Sequence, residues 1–519
     1  MIEKNFHNGG LELSEAIGKL YMEGQEDYTM EPVVLYRNGS PEGLVKPGDT
    51  VVSALRRGER EIEITELFTD PNVGPERYIP EDISYSILTL YNSKFESMPV
   101  AFPPIKVEST LAETLSKAGK TQLHAAESEK FAHVTFFFNG GACNPFEGEE
   151  DIMVPSPKDV KPETVPLLSL DKVNSKVMSR LGEKDFTVVN FANGDVIGHT
   201  ACDQAKLEAA KHVSRELEKL VAEAKRKGLF ILITADHGNI ECMRTKKGTP
   251  HVAHTANKVA FLAIDSEKDE VIKPEDGSLG DVAPTILHLM NVEKPELMTG
   301  RDLLPDVESK SDRKVLLIIL DGWGIGDGGK WDAIANADTP FWDKLIEYPH
   351  GILDASGEFV GLASGKPGNS EAGHMNLGAG RTVLQDDVRI DRAVSDGSYA
   401  SNPVLRAAVE RAKENGKPLH VLALLSEKSS HGCISYATEI CRMAEGVENV
   451  YLHLVLDGRS TPPGSAPEMI MKLSKELHEI GRGEITSVVG RGIILDRDKN
   501  YPLVMKGYES LVHGIGIHA

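Results

Sequence analysis

Six consecutive apolar residues, Val315 to Leu320, stop at an acid, Asp321, and a glycine-rich turn follows. The same pattern recurs along the chain. "FTVVNFANGD" runs to Asp195, and "LFILITADHG" runs to Asp236 and His237. "KVAFLAID", "LHVLALLS", "NVYLHLVLDGR" and "ITSVVGR" are further strand-sized runs. Unbroken apolar runs suit strands covered on both faces, as in parallel sheets. Between them lie amphipathic stretches. Leu207, Ala210, Val213, Leu217, Leu220, Val221 and Ala224 recur at helical spacing, and Gly228 closes that helix. The fold class is therefore α/β. In open α/β sheets, ligands bind beyond the carboxyl ends of the strands, so the polar residues that end these runs are the ones to inspect.

They divide by chemistry. From Lys130 to Ser370 the endings carry Asp, His and Ser; from Ser426 onward, and again near Leu55, they carry Arg and His. This predicts one metal-binding and one anion-binding domain, facing each other. The proline-rich "SMPVAFPPIKVES" is a candidate hinge, a second crossing is expected between Asp391 and Ala400, and "LPDVESKSDR" reads as a polar linker. The net charge of -22 over 519 residues argues against nucleic acid or an anionic membrane as the main partner. Local arginine clusters still admit a small anionic substrate. The first residues hold no apolar signal core, no run is long enough to cross a membrane, and the five cysteines are scattered without a CxxC pair. A soluble cytoplasmic protein with reduced thiols is expected.

In "NGDVIGHT", Asp195 and His199 stand four apart, which on a helical turn places both on one face. "TADHGN" adds Asp236 and His237, "HVAHT" adds His251 and His254, and Asp321 supplies another strand-end acid. Each pair alone reads as an ordinary polar turn. Together they suit two divalent ions of borderline hardness, Mn²⁺ or Zn²⁺ more naturally than Ca²⁺. "GKPGNSEAGHMNLGAGR" places Ser370 on a glycine-flanked turn, where a metal can hold its hydroxyl as a nucleophile. The anion side gathers Arg56, Arg57 and Arg60 in "ALRRGERE", Arg459 in "LDGRSTPP", and Arg491 and Arg497 in "VVGRGIILDRD". Arginine forks bind phosphate and carboxylate at two points, although any one of these arginines alone reads as solvated surface. His431 is a lone histidine nearby.

"LIILDGWG", "GNSEAGHMNLGAGR", "LDGR", "ESEKFAHVTFFFNGG", "NGDVIGHT" and "TADHGN" followed by "HTA" together resemble the cofactor-independent (2,3-bisphosphoglycerate-independent) phosphoglycerate mutases, dimetal enzymes of the alkaline phosphatase superfamily. The order differs. Family members begin with the strand that here starts at Lys314 and end near "MTG", here at Met298. The resemblance thus implies a circular permutation, with about 305–313 as a new link that spans at most roughly 30 Å. It implies a continuous phosphatase-like dimetal domain at 107–395 and a smaller transferase domain split between 1–106 and 396–519. Matched motif by motif, Asp195, His199 and His254 would hold one metal, and Asp321, Ser370, Asp236 and His237 the other. Ser370 would be the nucleophile, with Lys130 beside the phosphoryl group. Arg57, Arg60, Arg459, Ser460, Arg491, Arg497, His431 and Lys130 would face the phosphoglycerate, and His251 takes no ligand role.

The implied activity is interconversion of 3-phosphoglycerate and 2-phosphoglycerate through a phosphoserine. It would use two divalent ions, Mn²⁺ first and Zn²⁺ or Mg²⁺ as alternatives, and no 2,3-bisphosphoglycerate, in a monomer. The departures lie on the transferase side. Ser460 stands where the family carries an aspartate, "HSH" has become His431-Gly432-Cys433, and "ALRRGER" lacks the family's aromatics. The rival expectations are a phosphomonoester hydrolase, another phosphosugar mutase on the same site, and a non-catalytic phosphoglycerate or metal binder.

Overall fold

The computed structural model describes residues 8–56, 60–429 and 431–519. Arg57, named above for the substrate, lies outside them. The chain divides into two compact units, Ile105–Val388 and the pair Met1–Pro104 with Arg389–Ala519.

In the first unit, Val315–Leu320 forms a strand whose six residues are all buried. It pairs in parallel with Phe186–Phe191 on one side and Phe230–Thr234 on the other. Gln122–Glu127 and then Glu149–Val154 extend the sheet in parallel. On the other flank, Val259–Asp265 runs antiparallel to Phe230–Thr234 and to Gly351–Asp354, so this sheet is mixed. That differs from the parallel arrangement suggested by "KVAFLAID". Its seven residues are all buried, and burial on both faces is what an unbroken run reports; it carries no information on direction.

The long helix Asp203–Arg226 buries Ala210, Val213, Leu217, Leu220, Val221 and Ala224, while Leu207 is half-buried. It ends where Gly228 takes a left-handed φ of 73°. The 305–313 segment is not free-running. Lys310 N–H donates to the Leu289 carbonyl at 3.1 Å. Arg313, 6% exposed, donates to the Glu308 carbonyl at 2.5 Å and lies over the Phe230 ring.

In the second unit, Glu484–Gly490, Val450–Leu456, Leu419–Leu425, Thr50–Ser53, Ser84–Thr89 and Val100–Phe102 are neighbours in that order, and all pair in parallel. The sheet therefore interleaves strands from both ends of the chain. Val33–Val34 joins its edge antiparallel to Glu484–Gly490 and parallel to Ile517–His518. A buried polar chain crosses four adjacent strands. Asp49 Oδ2 lies 3.1 Å from His420 Nε2, His420 Nδ1 lies 3.0 Å from His453 Nε2, and His453 Nδ1 lies 2.8 Å from Ser487 Oγ. Burial depresses the pKa of both imidazoles, and His420 depresses that of His453 further.

Candidate functional site

The polar residues that end the first unit's strands converge. Asp321 follows Val315–Leu320, and Asp236 and His237 follow Phe230–Thr234. Asp195 sits in the first turn of the short helix Asn193–Gly198, with His199 as its C-cap. The crossing of these loops is tight. A Cβ on Gly194 would stand 2.4 Å from the Asp321 carbonyl, and one on Gly322 would stand 2.5 Å from Asp195 N.

Ser370 opens the helix Ser370–Ala379, whose N-cap Asn369 accepts from Ala372 N–H at 2.8 Å. The helix N-terminus favours negative charge at this position. Lys130, 4% exposed, donates to Ser370 Oγ at 2.6 Å, Asp195 Oδ2 at 2.6 Å and Asp321 Oδ1 at 2.8 Å. A π-helical turn, His133–Phe137, follows it directly.

The donor sets fit divalent ions. His199 Nδ1 and His254 Nδ1 face the carbonyl oxygens of Val252 and Gly368, at 2.9 and 2.8 Å. A carbonyl only accepts, so each Nδ1 carries a hydrogen, and in the neutral ring each Nε2 is bare. The two Nε2 atoms lie 3.0 Å apart, and Asp195 Oδ1 lies 3.2 and 2.9 Å from them. With both rings neutral, three electron pairs face one another; a divalent ion would fill that place, and in its absence Asp195 favours protons on the two imidazoles and raises both their pKa values. Beside them, His237 Nε2 lies 2.9 Å from Ser370 Oγ, 3.5 Å from Asp236 Oδ2 and 3.6 Å from Asp321 Oδ1. Asp236 Oδ2 is buried without a hydrogen-bond partner.

Three buried carboxylates against one ammonium leave a charge deficit, and the pKa directions follow it. Burial opposes the ionisation of Asp195, yet hydrogen bonds to His199 and His254 and the Lys130 charge hold it well below the usual range. Burial likewise opposes ionisation of Asp236, but His237, His374 and Lys130 keep it low. Asp321 is pushed up, by burial and then by the Asp236 charge. Burial would lower Lys130, but Asp321, Asp195 and Asp236 raise it above its ordinary value.

Several partners went unnoticed in the sequence. Asn190 Nδ2 donates to Asp321 Oδ2 at 2.7 Å and lies 3.0 Å from His374 Nε2; His374 Nδ1 lies 2.9 Å from the Ser370 carbonyl and 3.2 Å from Asp236 Oδ2. Asn239 Nδ2 donates to Asp195 Oδ1 at 3.0 Å. The available signals were Asn190 inside a largely apolar run and His374, four residues after Ser370 in "GNSEAGHMNLGAGR". His251 stays outside this group, where its carbonyl accepts from Lys206 Nζ at 2.6 Å.

In the other unit, the anion candidates also follow strand ends, but several are engaged within the protein. Arg491, 3% exposed, pairs with Asp457. The other Asp457 oxygen accepts from Ser460 N–H at 2.8 Å. Arg459 lies over the Tyr28 ring, and Ser460 Oγ is 3.4 Å from Ser429 Oγ. Arg60 is buried and donates to the Leu495 carbonyl at 3.0 Å. His431 is buried in the loop after Leu419–Leu425, and Arg497 is exposed.

Comparison with known proteins bears on this arrangement. The metalloenzyme superfamily model matches residues 13–294, and a model described as the BPG-independent PGAM N-terminus matches residues 390–519. Proteins named 2,3-bisphosphoglycerate-independent phosphoglycerate mutase are similar. The one from Parabacteroides distasonis is 40% identical over 295 residues, covering 56% of this chain and 57% of that protein. The one from Syntrophotalea carbinolica is 40% identical over 294 residues, covering 56% of each. The chain thus spans little more than half the length of the curated relatives it matches. A crystal structure of Leishmania mexicana phosphoglycerate mutase at low cobalt concentration aligns over 52% of this chain and 53% of that one, with 25% identity and a TM-score of 0.39. The superfamily match extends over more than half of the chain and takes in Lys130, Asp195, His199, Asp236, His237 and His254: the chain belongs to the metalloenzyme superfamily.

Proposed function

We propose that this protein is a 2,3-bisphosphoglycerate-independent phosphoglycerate mutase, interconverting 3-phosphoglycerate and 2-phosphoglycerate in the cytoplasm. The observation that carries the reading is the convergence of Ser370 Oγ, Lys130 Nζ and His237 Nε2 within 2.9 Å of the serine oxygen, beside the bare Nε2 atoms of His199 and His254. Asp195, His199 and His254 would hold one divalent ion, and Asp236, His237, Asp321 and Ser370 a second, with Mn²⁺ the first choice. Such ions supply Lewis-acid charge at a phosphoryl group and ease loss of the serine proton. Ser370 Oγ attacks phosphorus, its bond to phosphorus forms, and the bond to the glycerate oxygen breaks. The glycerate oxygen that leaves takes up a proton. In the second half, the other glycerate hydroxyl loses its proton, attacks the phosphoserine and frees Ser370. Lys130 holds its ammonium against the Ser370 oxygen and stabilises charge there throughout.

The order of the two family matches supports a permuted chain: the segment named for the family's N-terminus lies at 390–519, behind the metalloenzyme match. The 305–313 segment would then be the new link. One observation favours a second activity. Ser460, in place of the family's aspartate, offers no general base for returning the phosphoryl group, so hydrolysis of the phosphoserine competes. The test supplies 3-phosphoglycerate with Mn²⁺ and no 2,3-bisphosphoglycerate, and follows 2-phosphoglycerate through enolase alongside phosphate release. Isomer formation that disappears after chelation and in Ser370→Ala is expected. Phosphate without isomer would leave a hydrolase, and full activity after chelation would overturn the dimetal reading.

A further inference from the structure

Glu241 is 2% exposed and touches none of the reacting groups named above. Its carboxylate nonetheless gathers four donors. Oε2 accepts from Asn239 N–H at 2.8 Å and Gly324 N–H at 3.1 Å; Oε1 accepts from Asn257 Nδ2 at 2.9 Å and from Thr255 Oγ1. These donors come from three loops. Asn239 follows Asp236 and His237, Thr255 adjoins His254, and Gly324 follows Asp321. Asn239 in turn reaches Asp195 through its side chain.

We infer that Glu241 is a positioning residue that clamps the three loops carrying the proposed metal ligands, and so sets the affinity of the site for divalent ions. The inference rests on the dimetal reading above. Two backbone N–H groups and one amide NH₂ can only donate, so the group between them must accept at both ends. Only an ionised carboxylate does this; a glutamine would turn an NH₂ toward donors and leave buried groups unpaired.

The local backbone is shaped to the carboxylate. A Cβ on Gly324 would stand 2.5 Å from Oε1 and 2.6 Å from Cδ. A Cβ on Gly238 would stand 2.4 Å from Oε1 and 2.3 Å from Thr255 Oγ1. Neither glycine has a left-handed φ, so their missing side chains make room for the carboxylate rather than serve a turn.

The test titrates Mn²⁺ calorimetrically into chelator-stripped wild type, Glu241→Gln, Thr255→Val and Gly324→Ala, at a temperature where circular dichroism shows each apoprotein folded. Outer partners of metal ligands typically govern about 10–100-fold in affinity. Glu241→Gln is expected to raise the Mn²⁺ dissociation constant by at least about tenfold, and the other two variants severalfold. A merely structural role would lower the melting temperature in EDTA and leave that constant unchanged. A Glu241→Gln constant within about threefold of wild type overturns the clamp and leaves the dimetal reading standing. Failure of wild type to bind Mn²⁺ removes both. Should Glu241→Gln not fold, Thr255→Val and Gly324→Ala decide, since each keeps the carboxylate: unchanged constants in both overturn the inference.

Discussion

Replacing Lys130 by methionine keeps the apolar stem and removes the ammonium, which separates the charge balance of the site from its chemistry. That ammonium donates to Asp195, Asp321 and Ser370 at 2.6, 2.8 and 2.6 Å. Removing one partner of a buried ion pair typically destabilises by about 3–5 kcal/mol, because the other charge is left uncompensated. At about 2–4 °C per kcal/mol for a domain of this class, Lys130→Met is expected to melt roughly 6–20 °C below wild type in EDTA. Saturating Mn²⁺ supplies the missing charge and should close most of that gap. Mn²⁺ should also bind more tightly to the variant, since no ammonium competes for the same carboxylates. Turnover should fall even so, by about 10²–10³, the usual effect of losing one preorganised donor at a site of developing charge. Calorimetric melts with and without Mn²⁺, an Mn²⁺ titration and the enolase-coupled assay read the three effects. Equal melting in EDTA, or weaker Mn²⁺ binding by the variant, would refute the argument that Lys130 stands among otherwise unbalanced carboxylates.

Ser460→Asp should raise isomerisation and lower the ratio of phosphate release to isomer, because general-base help is typically worth about 10²–10⁴ and Asp457 is already engaged by Arg491 and Ser460 N–H; unchanged rates for both activities would place the proton elsewhere. Glu127 is buried, and burial pushes its carboxyl up to about 7. The unfolded chain ionises first, so the folded state loses stability as pH rises from the ordinary carboxyl range to about 7 and levels off above, by roughly 3–4 kcal/mol in all. Glu127→Gln should remove that loss, and melting curves at pH 5 and 8 that keep the wild-type difference would exclude it. His420 and His453 are held neutral by burial, so stability should fall as pH drops below about 6.5, where the unfolded imidazoles take up protons. His453→Gln should lessen that slope by about 1.4 kcal/mol per pH unit; urea melts between pH 5 and 7 that give the same slope for both proteins would contradict it.

The sequence by itself determined the strands that are unbroken apolar runs and the polar residues that follow them; Gln122–Glu127, Glu149–Val154, Ser84–Thr89 and Gly351–Asp354, whose runs are short or interrupted by polar residues, were not legible. An apolar run of six followed by Asp321 has one economical use, a strand buried on both faces with a polar residue just past its carboxyl end. The pairs Asp195–His199 and Asp236–His237 stand out for the same reason, since each is local in sequence and lies just past such a run, whereas His251 and His254 follow none. Tertiary structure decided the rest. Val259–Asp265 runs antiparallel to its neighbour, and its composition could not say so, because both ladder patterns satisfy the backbone equally and bury the same side chains. The place of Val315–Leu320 between Phe186–Phe191 and Phe230–Thr234 depends on pairings across roughly a hundred residues. Arg491 looked like a free anion ligand until Asp457, 34 residues away, was found against it. Glu241, Asn190 and His374 were not read as site residues, although His374 lies in "GNSEAGHMNLGAGR". Their partners lie on other loops, and a hydrogen bond is set by distance and direction in space, which a linear spacing does not encode.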